Sequence, residues 1–286
     1  MTAAADLASG KGHTDENFPV ASVLIAKKHR PTVMAFYRFA RVADDVADHE
    51  TASREEKLAL LEQMRASLTG ESDASPEGVG LRHALAARSL SPQHGLDLLE
   101  AFRRDVTKLR YAIWEDLMDY CRYSAMPVGR FVLDVHGESR ATWPANDALC
   151  AALQVINHLQ DCAKDFRILN RVYLPLDLLE QASLTVEVLN QPKAPPALRE
   201  ILRALARRNA TLLDAARPFA AQIRNRRLSL EVSLIQTLAD DLNDKLLARD
   251  PLADRVHHTK WEMPGLLARA TMLFASARLR PKRGTP

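Results

Sequence analysis

Cysteine is scarce in the 286-residue chain, and its placement carries no pattern. Cys121, Cys150 and Cys162 are odd in number and form no CxxC, which excludes a disulfide framework and a zinc ribbon and reads as reduced cytosolic thiols. No apolar run approaches the roughly 20 residues needed to cross a bilayer. Met1 to Lys11 lacks the apolar stretch of a secretory leader, so any membrane contact is expected to be peripheral. The ten glycines contain no GxGxxG, which removes a Rossmann-type nicotinamide site. The nine histidines form neither HExxH nor an ExxH pair, which counts against a zinc protease and a di-iron carboxylate bundle. Ser124 and Ser139 lack the context of a nucleophile elbow. A net charge of +3 is too near balance to indicate nucleic acid, and no internal repeat or β-run emerges.

What the chain does have is helix-forming sequence with 47% apolar residues, enough for one large all-α domain. Residues 1–16 read as a flexible N-terminus, 17–280 as the domain and 281–286 as a basic tail. Short helix is expected at Pro19–Lys28, then Pro31–His49. Ser53–Leu68 follows with Ser53 as cap, then a polar turn over Thr69–Gly80 and a helix over Leu81–Leu90. Ser91-Pro92 opens a helix to about Thr107. Trp114–His136 should kink at Pro127. Ala145–Asn170, Ala197–Arg224 (bent at Pro218), Leu228–Ala248 and Trp261–Leu279 complete the set, with Asn190–Pro196 as a connector. His257-His258 falls in a loop.

Two stretches stand out. At about 100° per residue, Tyr37, Arg41, Asp44 and Asp48 fall within roughly 60° of one helix face, and apolar side chains cover most of the remaining girth. Such a helix is buried, and buried carboxylates need partners. In Gln154–Asp165, Gln154, Asn157, Asp161 and Asp165 span roughly 80° of another face. Two antiparallel helices with these faces across a cavity would oppose four carboxylates, an arrangement improbable without cations. Mg²⁺ fits, since it takes one or two carboxylates and completes its shell with water and substrate phosphate. Spacing alone is weak evidence: Asp240 and Asp244 repeat it on a face expected to be solvated.

The paired patterns YxxxRxxDDxxD and QxxNxxxDxxxD resemble those of the squalene/phytoene synthase family. Tyr120-Cys121-Arg122-Tyr123-Ser124-Ala125-Met126-Pro127-Val128-Gly129 is similar to its YCxxxAxxVG segment, and Arg171-Val172-Tyr173-Leu174-Pro175 follows the second acidic pair as it does there. In order and spacing the resemblance runs from about Asn17 to about Ala270. Glu16-Asn17-Phe18-Pro19-Val20 and Asn157-His158-Leu159-Gln160-Asp161 most resemble the hopanoid-pathway branch, the hydroxysqualene synthases. The resemblance implies a single-domain isoprenoid (terpenoid) synthase fold, a helical bundle around a central cavity. It also implies Mg²⁺ held by Asp44, Asp48, Asp161 and Asp165, and active-site positions for Tyr37 and Tyr120, the latter near the developing cation.

Chemistry of that kind needs cations on the leaving diphosphate, basic groups to hold it and a dry cavity to guide the carbocation. Arg41 and Arg171 are the chosen diphosphate ligands, with Lys164 and Arg38 behind them. Asn157 reads as a ligand or orienter, or equally as a satisfied helix–helix amide. Tyr37 and Tyr120 read as cation-facing phenols or as core tyrosines with bonded hydroxyls. Phe36, Phe39, Phe131, Val132 and Leu133 read as core or pocket wall. Two departures matter: Gln160 stands where the broader family usually has Arg, and Asn17-Phe18-Pro19-Val20 where it often has serines. Fewer diphosphate contacts favour one diphosphate over two. The expected reaction is therefore conversion of presqualene diphosphate to hydroxysqualene with water and without NADPH, downstream of a presqualene diphosphate synthase. The alternatives are a squalene or phytoene synthase joining two prenyl diphosphates, and a non-catalytic assembly factor. Arg278–Arg283 either touches anionic lipid at the inner membrane or is a solvated end.

Overall fold

A computed structural model describes residues 25–279. Residues 1–24, and with them Glu16–Val20 and most of the Pro19–Lys28 helix, lie outside the described residues, as does the tail from 280 on. Ile25 to His29 forms a turn. The helices are α1 (Arg30–Asp48), α2 (Arg54–Thr69), α3 (Pro76–Ala86), α4 (Gln93–Thr107), α5 (Trp114–Ser124), α6 (Met126–His136), α7 (Trp143–Leu169), α8 (Leu176–Gln181), α9 (Pro196–Ala216), α10 (Phe219–Gln222), α11 (Arg226–Ala248) and α12 (Met263–Leu279). Among the described residues there is no strand, only an isolated bridge between Arg110 and Val172.

Helix boundaries follow local chemistry. Ser53 caps α2 through a reciprocal capping box with Glu56. Ser75 accepts from the Gly78 N–H, so α3 starts at Pro76, inside the stretch expected to be a turn. Pro127 breaks the long 114–136 segment into two helices at Ala125, because its ring cannot continue the hydrogen-bond ladder. Pro218 likewise separates α9 from α10. Helix α8 and a short 3₁₀ turn at Val186–Asn190 were not anticipated. On α11, Asp244 is exposed, but Asp240 is half-buried and bonded to Gln236, so the face is only partly solvated.

Two packed regions share α6. Val33, Phe36, Phe39, Ala43 and Val46 of α1 pack with leucines of α2, α3 and α4, and Phe131 and Val135 of α6 join them. Leu133, on the other side of α6, belongs to the larger core of α5, α7, α9 and α11. Where α6 meets α7 the backbones come close: a Cβ on Gly129 would lie 2.0 Å from Asn146 Oδ1 and 2.7 Å from Cys150 Sγ. Gly129→Ala should therefore cost about 1–3 kcal/mol in urea unfolding. Gly80→Ala, on an open face of α3 with nothing within 4 Å, should be neutral or stabilising by about 1 kcal/mol.

His29 precedes α1, buried with its ring centroid 4.3 Å from that of His136 and its Nδ1 2.9 Å from Arg88 Nη2. Burial, then the charges of His136, Arg88 and Lys28, push its pKa down to about 4 from 6.5. Between those values the unfolded chain binds more protons than the folded one, so stability is lost as pH falls through that window. On going from pH 7 to pH 5, His29→Asn should therefore lose less stability than wild type, read as the change in urea midpoint.

Candidate active site

Helix α1 buries Phe36, Phe39, Ala43, Val46 and Ala47 and leaves Tyr37, Arg41, Asp44 and Asp48 half-buried along one side. Arg41 bridges Asp44 (3.0 Å) and the buried Asp45 (2.6 Å). Asp44 keeps 37% of its side-chain surface accessible. Burial, with Asp48 next to it, pushes the Asp44 pKa up to about 8 despite the opposing pull of Arg41.

Helix α7 ends at Asn170, whose left-handed backbone (φ 52°) turns the chain back, with the Arg171 N–H on the Asp165 carbonyl. The following segment runs beside 109–112: Val172 N–H donates to Leu109 O and Leu176 N–H to Tyr111 O, each at 3.0 Å. This return places buried Arg171 under the end of α1. It donates to Asp48 Oδ1, to the Ala47 carbonyl (2.9 Å) and to the Asp105 carbonyl (3.0 Å). Arg171 thus ties the end of the second acidic helix to the last carboxylate of the first.

Burial, then Asp161 and Asp48, push the Asp165 pKa up to about 7. Asp161 and Asp165 make no ion pair with a described residue, unlike Asp44 and Asp48. Among the described residues, no three His, Cys, Asp or Glu side chains converge as a ready-made ligand set.

An apolar cavity of about 370 Å³ lies along the same two helices, reaching Ala40 one turn before Asp44 and Gln154 seven residues before Asp161; none of the four carboxylates is among its lining residues. Phe36, Tyr37 and Ala40 of α1, Phe131, Val132 and Leu133 of α6, Leu153 and Gln154 of α7 and Val232 of α11 are among its walls. Phe36 stacks on Phe131 at 3.9 Å. Phe39, in contrast, is wholly buried core. Tyr37 lines the cavity. Tyr120 is not among its lining residues: its ring packs with Tyr111, Tyr173 and His158, and its hydroxyl donates to Asp105 Oδ2 at 2.7 Å. Asn157 is half-buried on α7, one turn from Asp161, and Lys164 is exposed beside Asp165, whose carboxylate it stabilises; Arg38 is exposed.

A family model for squalene/phytoene synthases matches residues 11–262. The chain belongs to that family. Hydroxysqualene synthases from Rhodopseudomonas palustris and Zymomonas mobilis are 58% and 56% identical to it, the first over 90% of this chain and 88% of its own, the second over 95% and 93%. The crystal structure of squalene synthase HpnC from Alicyclobacillus acidocaldarius superposes with a TM-score of 0.68 at 30% identity, covering 96% of this chain and 92% of that one. A dehydrosqualene synthase bound to ligand shares the fold, with a TM-score of 0.75 at 20% identity over 92% of this chain and 93% of that one. This squalene/phytoene synthase family enzyme is all-α, built as a terpenoid synthase bundle around its cavity.

Asp105 escaped the sequence reading of this family member, and His158 and Gln160 were read there without their contacts. Asp105 is buried on α4 and accepts from both Tyr120 and Tyr173 hydroxyls at 2.7 Å. Burial raises its pKa to about 6, against the pull of Arg171 and the two phenols. His158 stacks on Tyr173 at 3.6 Å and takes a hydrogen bond from Gln154. Its pKa is driven down to about 3 by burial and then by Arg171, so it stays neutral. Gln160 donates to the Val256 carbonyl and sits 3.4 Å from His257, pinning the loop before α12.

Proposed function

We propose that this enzyme converts presqualene diphosphate to hydroxysqualene, with Mg²⁺ and water and without NADPH. The observation that carries the reading is Arg171, which ties the two acidic helices together: its side chain donates to Asp48 Oδ1 and its N–H to the Asp165 carbonyl, on the same two helices that wall an apolar cavity. Neighbouring carboxylates of like charge suit a hard cation that keeps water and phosphate oxygens in its shell. Asp44, Asp48, Asp161 and Asp165 would hold Mg²⁺, with Asn157 beside them, and the metal would neutralise the leaving diphosphate. Arg41, Arg171 and Lys164 supply positive charge around it. Arg171 is engaged with Asp48, so a cation on Asp48 would loosen that pair and free guanidinium donors toward phosphate. Phe36, Phe131 and Val132 exclude water from the hydrocarbon, and the phenol of Tyr37 faces the same space.

Gln160 favours one diphosphate over two. Its amide is spent on the Val256 carbonyl and brings no charge to the site. The names of the 58% and 56% identical relatives point the same way. Among the described residues no helix is long and apolar enough to cross a membrane. A cytoplasmic enzyme touching the inner membrane peripherally is supported by exposed Trp261, Leu267, Met272 and Leu279 on and before α12, a fitting entry side for an oily substrate handed on by a presqualene diphosphate synthase.

Purified protein should be incubated with presqualene diphosphate or farnesyl diphosphate, each with and without NADPH. Hydroxysqualene from presqualene diphosphate alone, lost on adding EDTA and restored by excess Mg²⁺, is the expected result. A C30 or C40 hydrocarbon made from two linear prenyl diphosphates would replace this reading with a condensing synthase. No binding of Mg²⁺ and diphosphate would favour an assembly factor.

A further inference from the structure

Water capture needs a group that holds water close to where diphosphate leaves, inside a cavity that otherwise repels it. Gln154 is placed for this. It lines the cavity and lies seven residues before Asp161 on the same helix, about 10 Å along the axis. The acidic cavity residue, Glu231, is ten residues from Asp241 on α11, about 15 Å, and it is the Asp241 end that reaches the 256–258 loop held by Gln160. Asn146 is buried and already engaged with Met126 O and Asp147.

The Gln154 amide is fixed from behind. Its Nε2 lies 3.1 Å from His158 Nε2. An amide NH₂ only donates, so the ring nitrogen facing it accepts, and Gln154 Oε1 is left as the acceptor on the cavity side. His158 is clamped in turn, 3.6 Å and nearly parallel on Tyr173, whose hydroxyl is anchored to Asp105 at 2.7 Å. Gln154 thus stands on the same helix face as Asp161 and Asp165, two turns before the first of them.

We propose that Gln154 holds the water that captures the rearranged cation, with His158 as the positioning residue that sets the amide's orientation. This rests on the presqualene diphosphate reading above. The carbon–oxygen bond to diphosphate breaks and its electron pair leaves with the diphosphate. After rearrangement the water oxygen bonds to the cationic skeleton as a cyclopropane bond opens and its pair becomes the new double bond. Gln154 Oε1 accepts a hydrogen bond from the water and aims its lone pair at carbon. The water's lost proton passes to an oxygen of the released diphosphate, so neither oxidant nor reductant enters.

The test measures diphosphate release and product identity together, from presqualene diphosphate with Mg²⁺, for wild type, Gln154→Leu and His158→Phe. The second variant keeps a ring on Tyr173 and removes the acceptor. Expected is diphosphate release within about tenfold of wild type in both, with the hydroxysqualene share of products falling at least fivefold in Gln154→Leu and less in His158→Phe, replaced by hydrocarbons and isomeric alcohols. His158→Asn, which restores an acceptor, should recover part of the share. Unchanged product shares in both variants overturn the proposal. So does loss of diphosphate release in folded Gln154→Leu, which would move Gln154 to the ionisation step. Should Gln154→Leu fail to fold, the His158 pair decides by the same product shares. Wild type that releases no diphosphate overturns the underlying reading instead, a result visible before any variant is compared.

Discussion

Asp161→Asn should lower kcat for presqualene diphosphate by about 10²–10³-fold, the loss typical when one charge-stabilising group is removed from a transition state. Its thermal midpoint in EDTA should match or exceed that of wild type. The two halves of this expectation have one cause. Asp161 makes no ion pair with a described residue and raises the pKa of Asp165 beside it, so in the absence of cations its charge is a cost. Removing that charge relieves repulsion in the resting protein and removes a metal ligand from the working one. Added Mg²⁺ should raise the midpoint of wild type more than that of the variant, because ligand binding stabilises only the state that binds. Turnover within a few-fold of wild type would remove Asp161 from the metal site, and a falling midpoint in EDTA would mark it as structural. Asp48→Asn should also abolish turnover, but with some loss of stability, because Arg171 donates to that carboxylate.

Asp105→Ala should be the most destabilising substitution near the site, by about 3–5 kcal/mol. The carboxylate is 5% exposed and satisfies two buried hydroxyls, those of Tyr120 and Tyr173. Its charge also does most to favour the Arg171 cation, against the burial that opposes it. Alanine orphans both phenols and leaves a buried guanidinium leaning on Asp48 alone. Asp105→Asn keeps an acceptor and should cost less. Urea unfolding of both variants, with the Tyr120→Phe and Tyr173→Phe single variants, would apportion the loss. A cost below about 1 kcal/mol for Asp105→Ala would show that the aromatic cluster stands without its anchor.

The contrast between these residues explains what the sequence could reveal. Asp44, Asp48, Asp161 and Asp165 announce themselves because each lies on a helix whose other positions are apolar, so periodicity separates the carboxylates from their surroundings. Asp105 sits in Arg103-Arg104-Asp105, on a stretch that reads as a solvated face. Its burial is imposed by Arg171 and Tyr173, 66 and 68 residues further on, brought under α4 by the turn at Asn170. No local pattern encodes that contact. Helix α3 is different: Ser75-Pro76 is the same cap-then-proline signal that located the start near Ser91-Pro92, but the surrounding polar residues concealed it. His158 was visible only as part of a segment resembling one branch of the family, and its stacking on Tyr173 again depends on the return of the chain after α7.

Helix α6 gives Phe131 and Val135 to one packed region and Leu133 to the other, and the cavity runs along it. A lodged isoprenoid tail would therefore act as mortar along one of the courses where two blocks of masonry meet. Tail length becomes a structural quantity: too short leaves the joint dry, too long forces the blocks apart. Selection among prenyl chains then needs no dedicated recognition group at the far end, only the tolerance of that joint.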